Sequence, residues 1–233
     1  MEVASRTDRG VSARANALTL VSDLDGDELL DRLNVIEPRL FFTAATQVAG
    51  DFRVRAARQR TYRYYEPSSL GNLETRREAA ALFHGLVDVR SFGRGLTAEI
   101  PVRRAVESVV VTPLLGGEQI EVRAPSFVWG MVRKIVASLR EVGAGRLSTP
   151  QLREAIEGRS RLTLPMAEPE PLVLWEVDFG LPWSVLWSGP TRAQQTRQVD
   201  QRNAWWVRGH LLHSLPPFSG PDIDQGSAAS DDG

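Results

Sequence analysis

The chain is organised around one polar stretch, Ser5-Arg6-Thr7-Asp8-Arg9-Gly10-Val11-Ser12-Ala13. Arginines lie close to Asp8 on both sides, and nearby opposite charge favours the ionised form of a carboxyl group. Gly10 lets the backbone turn where a side chain would clash. The stretch therefore predicts a polar loop that holds the Asp8 carboxylate charged. An ordinary surface turn with a solvated Asp–Arg pair gives the same pattern, so the spacing alone leaves both interpretations open.

Length and composition limit the classes of protein to consider. The chain has 233 residues, of which 42% are hydrophobic and 24% charged, as expected for one large or two modest globular domains. It has no cysteine, which excludes disulfide and thiolate chemistry, and its three histidines show no metal-site spacing. No apolar run approaches the length of a membrane span and the N-terminus is polar, so we expect a cytoplasmic protein without membrane attachment.

A second cluster of basic and aromatic residues occupies positions 51–65. It holds five arginines and three tyrosines, whereas the whole chain has a net charge of −1, so any nucleic-acid contact must come from a local patch. A strand here would place Arg60, Tyr62 and Tyr64 on one face. A cation beside two rings suits contact with a phosphate and stacking on an unpaired base. Arginine and tyrosine are also good residues for an ordinary half-exposed strand.

A third segment, Phe127–Gly145, predicts an amphipathic helix that ends at Gly143. Its apolar residues recur at helical spacing: Val128, Met131, Val132, Ile135, Leu139 and Val142. We interpret Met131 and Trp129 as core residues. Arg133 lies at the edge of the apolar stripe, where a helix arginine often extends its charged group to solvent.

The rest of the chain predicts a mixture of strands and helices. The predicted elements are a strand over 11–22, a helix that begins at 25–28, a buried strand over 40–45, a strand over 58–65, a helix over 73–84, hairpin strands at about 103–112 and 118–124, a short helix from 149–150, and a strand over 172–179.

These motifs resemble, in the same order, those of the tRNA pseudouridine synthase A family. The first stretch is similar to the family signature G-R-T-D-A-G-V-H-A. It matches at Arg6, Thr7, Asp8, Gly10, Val11 and Ala13 and differs at Ser5, Arg9 and Ser12. The resemblance covers about residues 3–180, and an ordered series of motifs is much harder to reach by chance than a single one.

Further motifs carry the resemblance along the chain. Phe52, Arg55, Arg60, Tyr62, Arg63 and Tyr64 match F-x-x-R followed by R-x-Y-R-Y; Phe83–Phe92 is similar to F-x-G-x-H-D-F-x-x-F, with Asp88 kept and Val87 in place of histidine; Phe127–Gly145 is similar to F-x-x-x-M-V-R-x-I-V-x-x-L-x-x-V-G-x-G; and Leu172–Phe179 is similar to G-L-x-L-x-x-V-x-Y/F, with Pro171 in place of glycine.

The resemblance implies a role for each candidate site residue. Asp8 would be the catalytic carboxylate, acting as nucleophile or as base at the sugar, with Arg133 as its charge partner and Arg6 in support. Tyr62 would stack on the flipped uracil and take part in proton transfer at C5. The candidate substrate-binding residues are Leu172, Arg55, Arg60, Arg63 and Tyr64.

The implied fold is α+β, the pseudouridine synthase fold, with two similar ferredoxin-like halves of sheet and helix around a basic central cleft. The implied activity is isomerisation of uridine to pseudouridine in the anticodon stem-loop of tRNA, at positions 38–40, by a homodimer without cofactor or metal. The halves would be residues 1–68 and 69–182, followed by a C-terminal extension over 183–213 and a tail over 214–233 whose composition predicts disorder.

The family normally has an opening strand, an aromatic loop and a helix before the catalytic motif. Seven residues precede Asp8 here, so these elements are not in the sequence. A sheet without its opening strand has an unpaired edge and a less covered core. Because the motifs after Asp8 are maintained, we expect that the true start lies upstream rather than that the protein is a truncated, inactive copy.

Two functions of other classes stay open. One is RNA binding without catalysis, which predicts tRNA binding that is indifferent to Asp8→Ala. The other is a carboxylate-dependent hydrolase on a different fold. That reaction needs a second acid near Asp8, and Asp88 is the nearest candidate.

Overall fold

The computed structural model describes residues 1–36, 40–66 and 71–186, and it has the α+β architecture that the sequence predicts. The chain divides into two compact units, Met1–Val185 and Leu186–Gly233. The predicted tail over 214–233 and most of the predicted extension over 183–213 lie outside the described residues. No helix within the described ranges combines the length and apolarity that a membrane span requires.

The elements follow one another as a mixture of short and long strands with four helices in the described chain. In order they are β1 (Glu2–Val3), β2 (Ser12–Ala13), β3 (Leu18–Thr19), α1 (Gly26–Ile36), β4 (Ala44–Ala45), a 3-10 helix (Val54–Ala56), β5 (Gln59–Glu66), α2 (Leu73–Ala81), β6 (Gly85–Asp88), β7 (Arg103–Val106), β8 (Ser108–Leu114), β9 (Gly117–Ala124), α3 (Met131–Gly143), α4 (Thr149–Glu157), β10 (Leu172–Asp178) and β11 (Val185–Leu186).

Five strands form the central sheet, in the order β2-β10-β5-β9-β8. β10 runs parallel to β2 and antiparallel to β5, and the remaining neighbours are antiparallel. β2 directly follows the polar loop that carries Asp8. The sheet therefore brings this early loop beside β10, which lies more than 150 residues later in the chain.

The core lies between this sheet and the helices. Tyr62 and Tyr64 of β5 belong to the same buried cluster as Ile135 and Leu139 of α3, and α2 packs against both α3 and β8. Burying one large apolar side chain stabilises the fold by about 1.5–3 kcal/mol relative to leaving it exposed. The apolar stripe of α3 thus fixes this helix, and every residue at its N-terminus, against β5.

The predicted helix at 127–145 is confirmed as α3. The helix begins only at Met131, because Gly130 precedes it with a left-handed φ of 75°. The helix predicted at 25–28 is also confirmed, since the Asp25 carboxylate accepts a hydrogen bond from the Glu28 backbone N–H at 2.9 Å and caps α1.

The short helix predicted from 149–150 is confirmed as α4. Ser148 and Gln151 form a capping box at its N-terminus, with proline in its first turn. The strand predicted over 58–65 is confirmed as β5, and the strand predicted over 118–124 is confirmed as β9. The helix predicted over 73–84 is confirmed as α2 but ends at Ala81, before the chain turns into β6.

The long strand predicted over 11–22 is wrong. Only β2 and β3 are extended there, and they pair with different partners, β10 and β1. Between them the Asn16 side chain donates to the Ser5 carbonyl at 2.9 Å and accepts from the Ser5 N–H at 3.3 Å. A side-chain amide therefore takes up backbone groups that a continuous strand would have paired.

Two other strand predictions need correction for related reasons. The strand predicted over 40–45 shrinks to β4, because the Asn34 side chain bonds both the N–H and the carbonyl of Phe42, at 2.8 and 2.9 Å. The strand predicted at 103–112 is two strands that separate at Glu107, since β7 pairs with β6 whereas β8 pairs with β9.

Candidate active site

The polar loop before β2 turns at Gly10, as predicted. Gly10 has a φ of +92°, and a Cβ atom there would lie 3.0 Å from both Pro169 Cγ and Glu170 Oε1. The Val11 N–H donates to the Asp8 carbonyl at 3.0 Å and closes the turn. The close approach presses the Asp8 loop against the segment that precedes β10.

The Asp8 carboxylate is held by two donors from the region around the start of α3. Arg133 Nη1 donates to Asp8 Oδ2 at 3.0 Å, and Trp129 Nε1 donates to Asp8 Oδ1 at 2.9 Å. The Asp8 side chain keeps 27% of its surface exposed and the Arg133 side chain 15%. The charge pair is therefore fixed by the protein but open to solvent on one side.

Arg133 is itself fixed on a second side. Its Nε donates to the Ala167 carbonyl at 2.5 Å, and the Ala167 N–H donates to the Arg133 carbonyl at 3.3 Å. The guanidinium fork thus joins the segment before β10 to the Asp8 loop. Arg133 lies in the first turn of α3, and the apolar face of this helix is buried. Packing of α3 in the core therefore determines the direction of the Arg133 side chain.

Tyr62 lies inside the protein, where its phenol interacts electrostatically with the Asp8 carboxylate. Its ring is 8% exposed and meets Phe127 edge-on, with ring centroids 5.1 Å apart. Burial raises the pKa of Tyr62 above its usual value, the Arg60 charge opposes that shift, and the Asp8 carboxylate adds to it. The phenol therefore stays protonated at neutral pH.

Arg60 is buried and joins β5 to the loop of Asp8. Its Nε donates to Ser5 Oγ at 2.8 Å, and its Nη2 donates to the carbonyls of Ala4 at 3.0 Å and Arg55 at 2.8 Å. Nη1 donates to the Pro125 carbonyl. Ser5, one of the departures from the family signature, supplies a side-chain acceptor for this guanidinium.

Tyr64 has no exposed surface and belongs to a polar network behind α3. Its hydroxyl donates to Glu168 Oε2 at 3.2 Å and accepts from Arg140 Nη2 at 2.9 Å. Burial raises the pKa of Tyr64 to about 12. Arg140 also donates to Glu66 Oε2 at 2.7 Å, so the network ties β5, α3 and the segment before β10 together.

The remaining predicted site residues lie in different surroundings. Leu172 is 5% exposed at the start of β10, opposite Tyr64 in the ladder. Arg63 donates to Glu121 at 2.7 Å, and its guanidinium carbon lies 3.8 Å from the centre of the Trp175 ring. Arg6 and Arg55 are exposed.

The interpretation of Trp129 as a core residue is wrong. Its side chain is 55% exposed, and its indole N–H donates to Asp8. Trp129 precedes the first residue of α3, so helical spacing does not describe its direction. The sequence signal that could have found it is its place two residues before the helix start, where a side chain is free to point away from the buried stripe.

Asp88 does not supply a second acid to this site. It is 3% exposed, and Arg90 donates to its carboxylate through Nε at 2.9 Å and Nη2 at 2.7 Å. Burial acts to raise the pKa of Asp88, but the hydrogen bonds from Arg90 outweigh it and hold the pKa below its usual value. An ionised, fully paired aspartate cannot donate a proton, so the hydrolase hypothesis loses its candidate acid.

Within residues 1–36, 40–66 and 71–186, no group of three or more His, Cys, Asp or Glu side chains is arranged to hold a metal ion.

Comparisons with known proteins all give tRNA pseudouridine synthases as the similar proteins. A family model described as tRNA pseudouridine synthase matches residues 79–180. The protein named tRNA pseudouridine synthase A from Thermococcus kodakarensis is 38% identical over 180 residues, which cover 76% of this chain and 66% of the relative. Those of the same name from Pyrococcus abyssi and Methanoculleus marisnigri are 36% and 33% identical, with 76% and 88% of this chain and 67% and 74% of the relatives covered. The chain spans about two thirds of the length of the relatives that it matches.

Proposed function

Because this chain belongs to the tRNA pseudouridine synthase A family, we propose that it isomerises uridine to pseudouridine in tRNA, at positions 38–40 of the anticodon stem-loop. The relatives named tRNA pseudouridine synthase A and the matching family model support an isomerase activity for this chain. The proposed reaction breaks the bond between C1′ and N1 of uridine and joins C1′ to C5. The proton leaves C5, N1 gains a proton, and no electron is transferred.

The observation that carries the proposal is the arrangement around Asp8. Arg133 and Trp129 each bind one oxygen of a carboxylate that is still partly open to solvent. Hydrogen bonds from two donors, one of them charged, fix the direction in which this carboxylate points. An ionised, oriented carboxylate is what attack at C1′ or removal of a proton from the sugar requires. Both mechanisms stay open.

Tyr62 and Leu172 supply the apolar surface beside Asp8 in this proposal. The neutral Tyr62 phenol offers a ring for contact with the uracil and a hydroxyl for proton transfer at C5. Leu172, at the start of β10, excludes water from the reacting base.

Contact with the RNA backbone is proposed for exposed arginines only. Arg53, Arg55 and Arg58 are exposed just before β5, and Arg6 is exposed beside Asp8 in the chain. Arginine forks match phosphate geometry. Arg60 and Tyr64 do not enter this contact, because the Arg60 guanidinium and the Tyr64 hydroxyl are hydrogen-bonded inside the protein. Arg63 does not enter it either, because it is bonded to Glu121 and stacked on Trp175.

The experiment is tritium release from an unmodified tRNA transcript labelled at C5 of uridine. Wild-type protein should release tritium, Asp8→Ala should release none, and Asp23→Ala, which removes an exposed carboxylate of the same type, should behave as wild type. A transcript with cytidine at positions 38–40 should give no release.

Each other outcome of that experiment contradicts a part of the proposal. Release by Asp8→Ala would reject Asp8 as the reacting group. Release from the cytidine-containing transcript would reject the anticodon stem-loop as the target. If neither protein released tritium while both bound tRNA equally, the chain would be an RNA-binding protein without catalysis.

We also propose, from the family resemblance, that the protein works as a cytoplasmic homodimer around a basic cleft. Light scattering on the purified protein should give twice the chain mass of 25.8 kDa. A mass of one chain at all concentrations would contradict the dimer.

A further inference from the structure

Trp129 is unusual among the residues around Asp8, because it is large, apolar and half exposed. With 55% of its surface exposed, its ring gains little from burial. Its one polar atom, Nε1, is a donor without acceptor capacity, and it points at Asp8 Oδ1 at 2.9 Å. An exposed indole whose single donor meets the reacting carboxylate calls for an explanation other than packing.

The protein holds this indole in place from its main chain and from its ring. The Arg94 N–H donates to the Trp129 carbonyl at 2.9 Å, and the Arg94 guanidinium carbon lies 4.8 Å from the centre of the Trp129 ring. Gly95 has a φ of +59°, and a Cβ atom there would lie 3.3 Å from Trp129 Cε3. A side chain at this position would therefore crowd the ring.

The segment that braces Trp129 is itself tied to α3. Lys134 Nζ donates to the carbonyls of Ser91 and Gly93, each at 3.3 Å. Segment 91–95 is thereby joined to the same helix that carries Arg133. Trp129 and Arg133, the two residues that donate to Asp8, are therefore both held by α3 and segment 91–95.

A single donor would leave the carboxylate poorly oriented. The torsion that turns the carboxylate plane of an aspartate is broad, so a bond from Arg133 to Oδ2 alone allows Oδ1 to swing. A second donor on Oδ1 fixes the plane, and an indole does so without adding another positive charge. Catalytic geometry demands such precision, within about 0.5 Å and 10–20°.

We propose that Trp129 is a positioning residue, which fixes the Asp8 carboxylate through its indole N–H while segment 91–95 holds the ring. The inference rests on the proposed function, since that function gives Asp8 its reaction. A different use of the same ring, stacking of an unpaired base on the exposed indole, is an outcome that the test separates.

The test is the kinetics of Trp129→Phe, which keeps an aromatic ring and removes the donor. Turnover (kcat) should fall about tenfold to a hundredfold, with KM for tRNA and the thermal midpoint unchanged, since a hydrogen bond to a charged group is lost. The matched control is Trp175→Phe, because the Trp175 indole also lies under an arginine, Arg63, at 3.8 Å but belongs to β10 rather than to the segment before α3. It should keep wild-type kcat.

The contrary results are distinct. An unchanged kcat in Trp129→Phe would overturn the inference. Base stacking has a different signature: Trp129→Ala would raise KM without changing kcat, and Trp129→Phe would have normal kinetics. That result would also overturn the inference. If Trp129→Phe unfolds, Trp129→Gln and Trp129→Leu replace it, and equal kcat for the amide donor and the donor-free side chain would overturn the inference.

A measurement without turnover separates this inference from the proposed function. In a ¹H–¹⁵N spectrum, the Trp129 indole signal, assigned by its loss in Trp129→Phe, should move upfield in Asp8→Ala. An unmoved signal would overturn the inference whatever the activity. A moved signal with an inactive wild type would reject the proposed function and leave the contact without a catalytic meaning.

Discussion

Two arginine–carboxylate pairs of this molecule use the same chemical groups for different ends. Arg76 and Glu118 join α2 to β9, and their side chains are 1% and 2% exposed. Arg133 and Asp8 join α3 to the loop before β2, with side chains 15% and 27% exposed. The Arg76–Glu118 pair, here called the sealed pair, leaves no room for another molecule and stabilises the fold. The Arg133–Asp8 pair is here called the open pair. The open pair keeps part of its carboxylate accessible, as the proposed function requires, so the two pairs differ in exposure rather than in residue type.

The largest effect is expected from Glu118→Gln, which breaks the sealed pair. The change removes the negative charge that faces the buried Arg76 guanidinium, and the free energy of unfolding should fall by about 3–5 kcal/mol. Denaturant unfolding measures it. Glu74→Gln, in the exposed pair with Arg77, is the control and should change stability by less than about 1 kcal/mol.

A second variant sharpens that result. Arg76→Met with Glu118→Leu replaces both partners by apolar groups and should recover most of the lost stability. If Glu118→Gln alone were as stable as wild type, the sealed pair would not stabilise the fold, and the contrast between the sealed pair and the open pair would be wrong.

The next largest effect is expected from Arg133→Lys in the open pair. This change removes the planar guanidinium and keeps the positive charge. Loss of a preorganised donor should lower kcat/KM on the order of a hundredfold, with only a small change in stability. Steady-state kinetics on a tRNA transcript and thermal unfolding measure the two quantities. Arg146→Gln, in an exposed pair with Glu141, should leave both unchanged. A large loss of stability with normal activity of the folded fraction would make Arg133 a scaffold residue.

A smaller effect is expected from Gly10→Ala. Strain at φ +92° and crowding by Pro169 and Glu170 should cost about 1–3 kcal/mol and displace the Asp8 loop, so activity should fall too. Gly116→Ala is a close match, because Gly116 has a φ of +81° but nothing within 4 Å of the added Cβ. It should cost less and leave activity intact. Equal results for the two glycines would show that the close approach beside Asp8 is unimportant.

The smallest effect concerns the acid side of the pH–stability profile. Hydrogen bonds from Arg140 lower the pKa of Glu168 to about 2, from an ordinary value of 4.5. A lowered folded-state pKa contributes stability that is present above about pH 4.5 and is lost as the pH falls towards 2. Because the Glu168 side chain is 64% exposed, solvent screens the pair and the contribution should stay below about 1 kcal/mol. Glu168→Gln should reduce the loss of stability between these pH values, and an unchanged profile would contradict the assignment.

The sequence predicts those parts of the molecule that depend on local periodicity. The apolar spacing of α3 indicates which face is buried, and that face carries Arg133 at its edge towards Asp8. The alternation in β5 likewise predicts that Tyr62 and Tyr64 share a face. These predictions succeed because the pattern and the packing have the same period.

The rest depends on contacts between residues far apart in the chain. Trp129 binds Asp8 across 121 positions, and no spacing rule relates the two. The alternation in β5 predicts that Arg60 and Tyr64 are available to RNA, yet the same face is turned inward, where other loops supply their hydrogen bonds. Asn16 and Asn34 end two predicted strands by bonding backbone groups that only the folded chain brings to them.

The most direct test of the central claim, that the Asp8 carboxylate held by Arg133 and Trp129 performs pseudouridine formation, is nucleoside analysis of tRNA treated with wild type and with Asp8→Asn. Asparagine keeps the shape of the side chain and removes its charge. Wild type should convert uridine at the anticodon stem-loop to pseudouridine, and Asp8→Asn should bind the tRNA no more weakly and form none. Equal amounts of pseudouridine from both proteins would contradict the account.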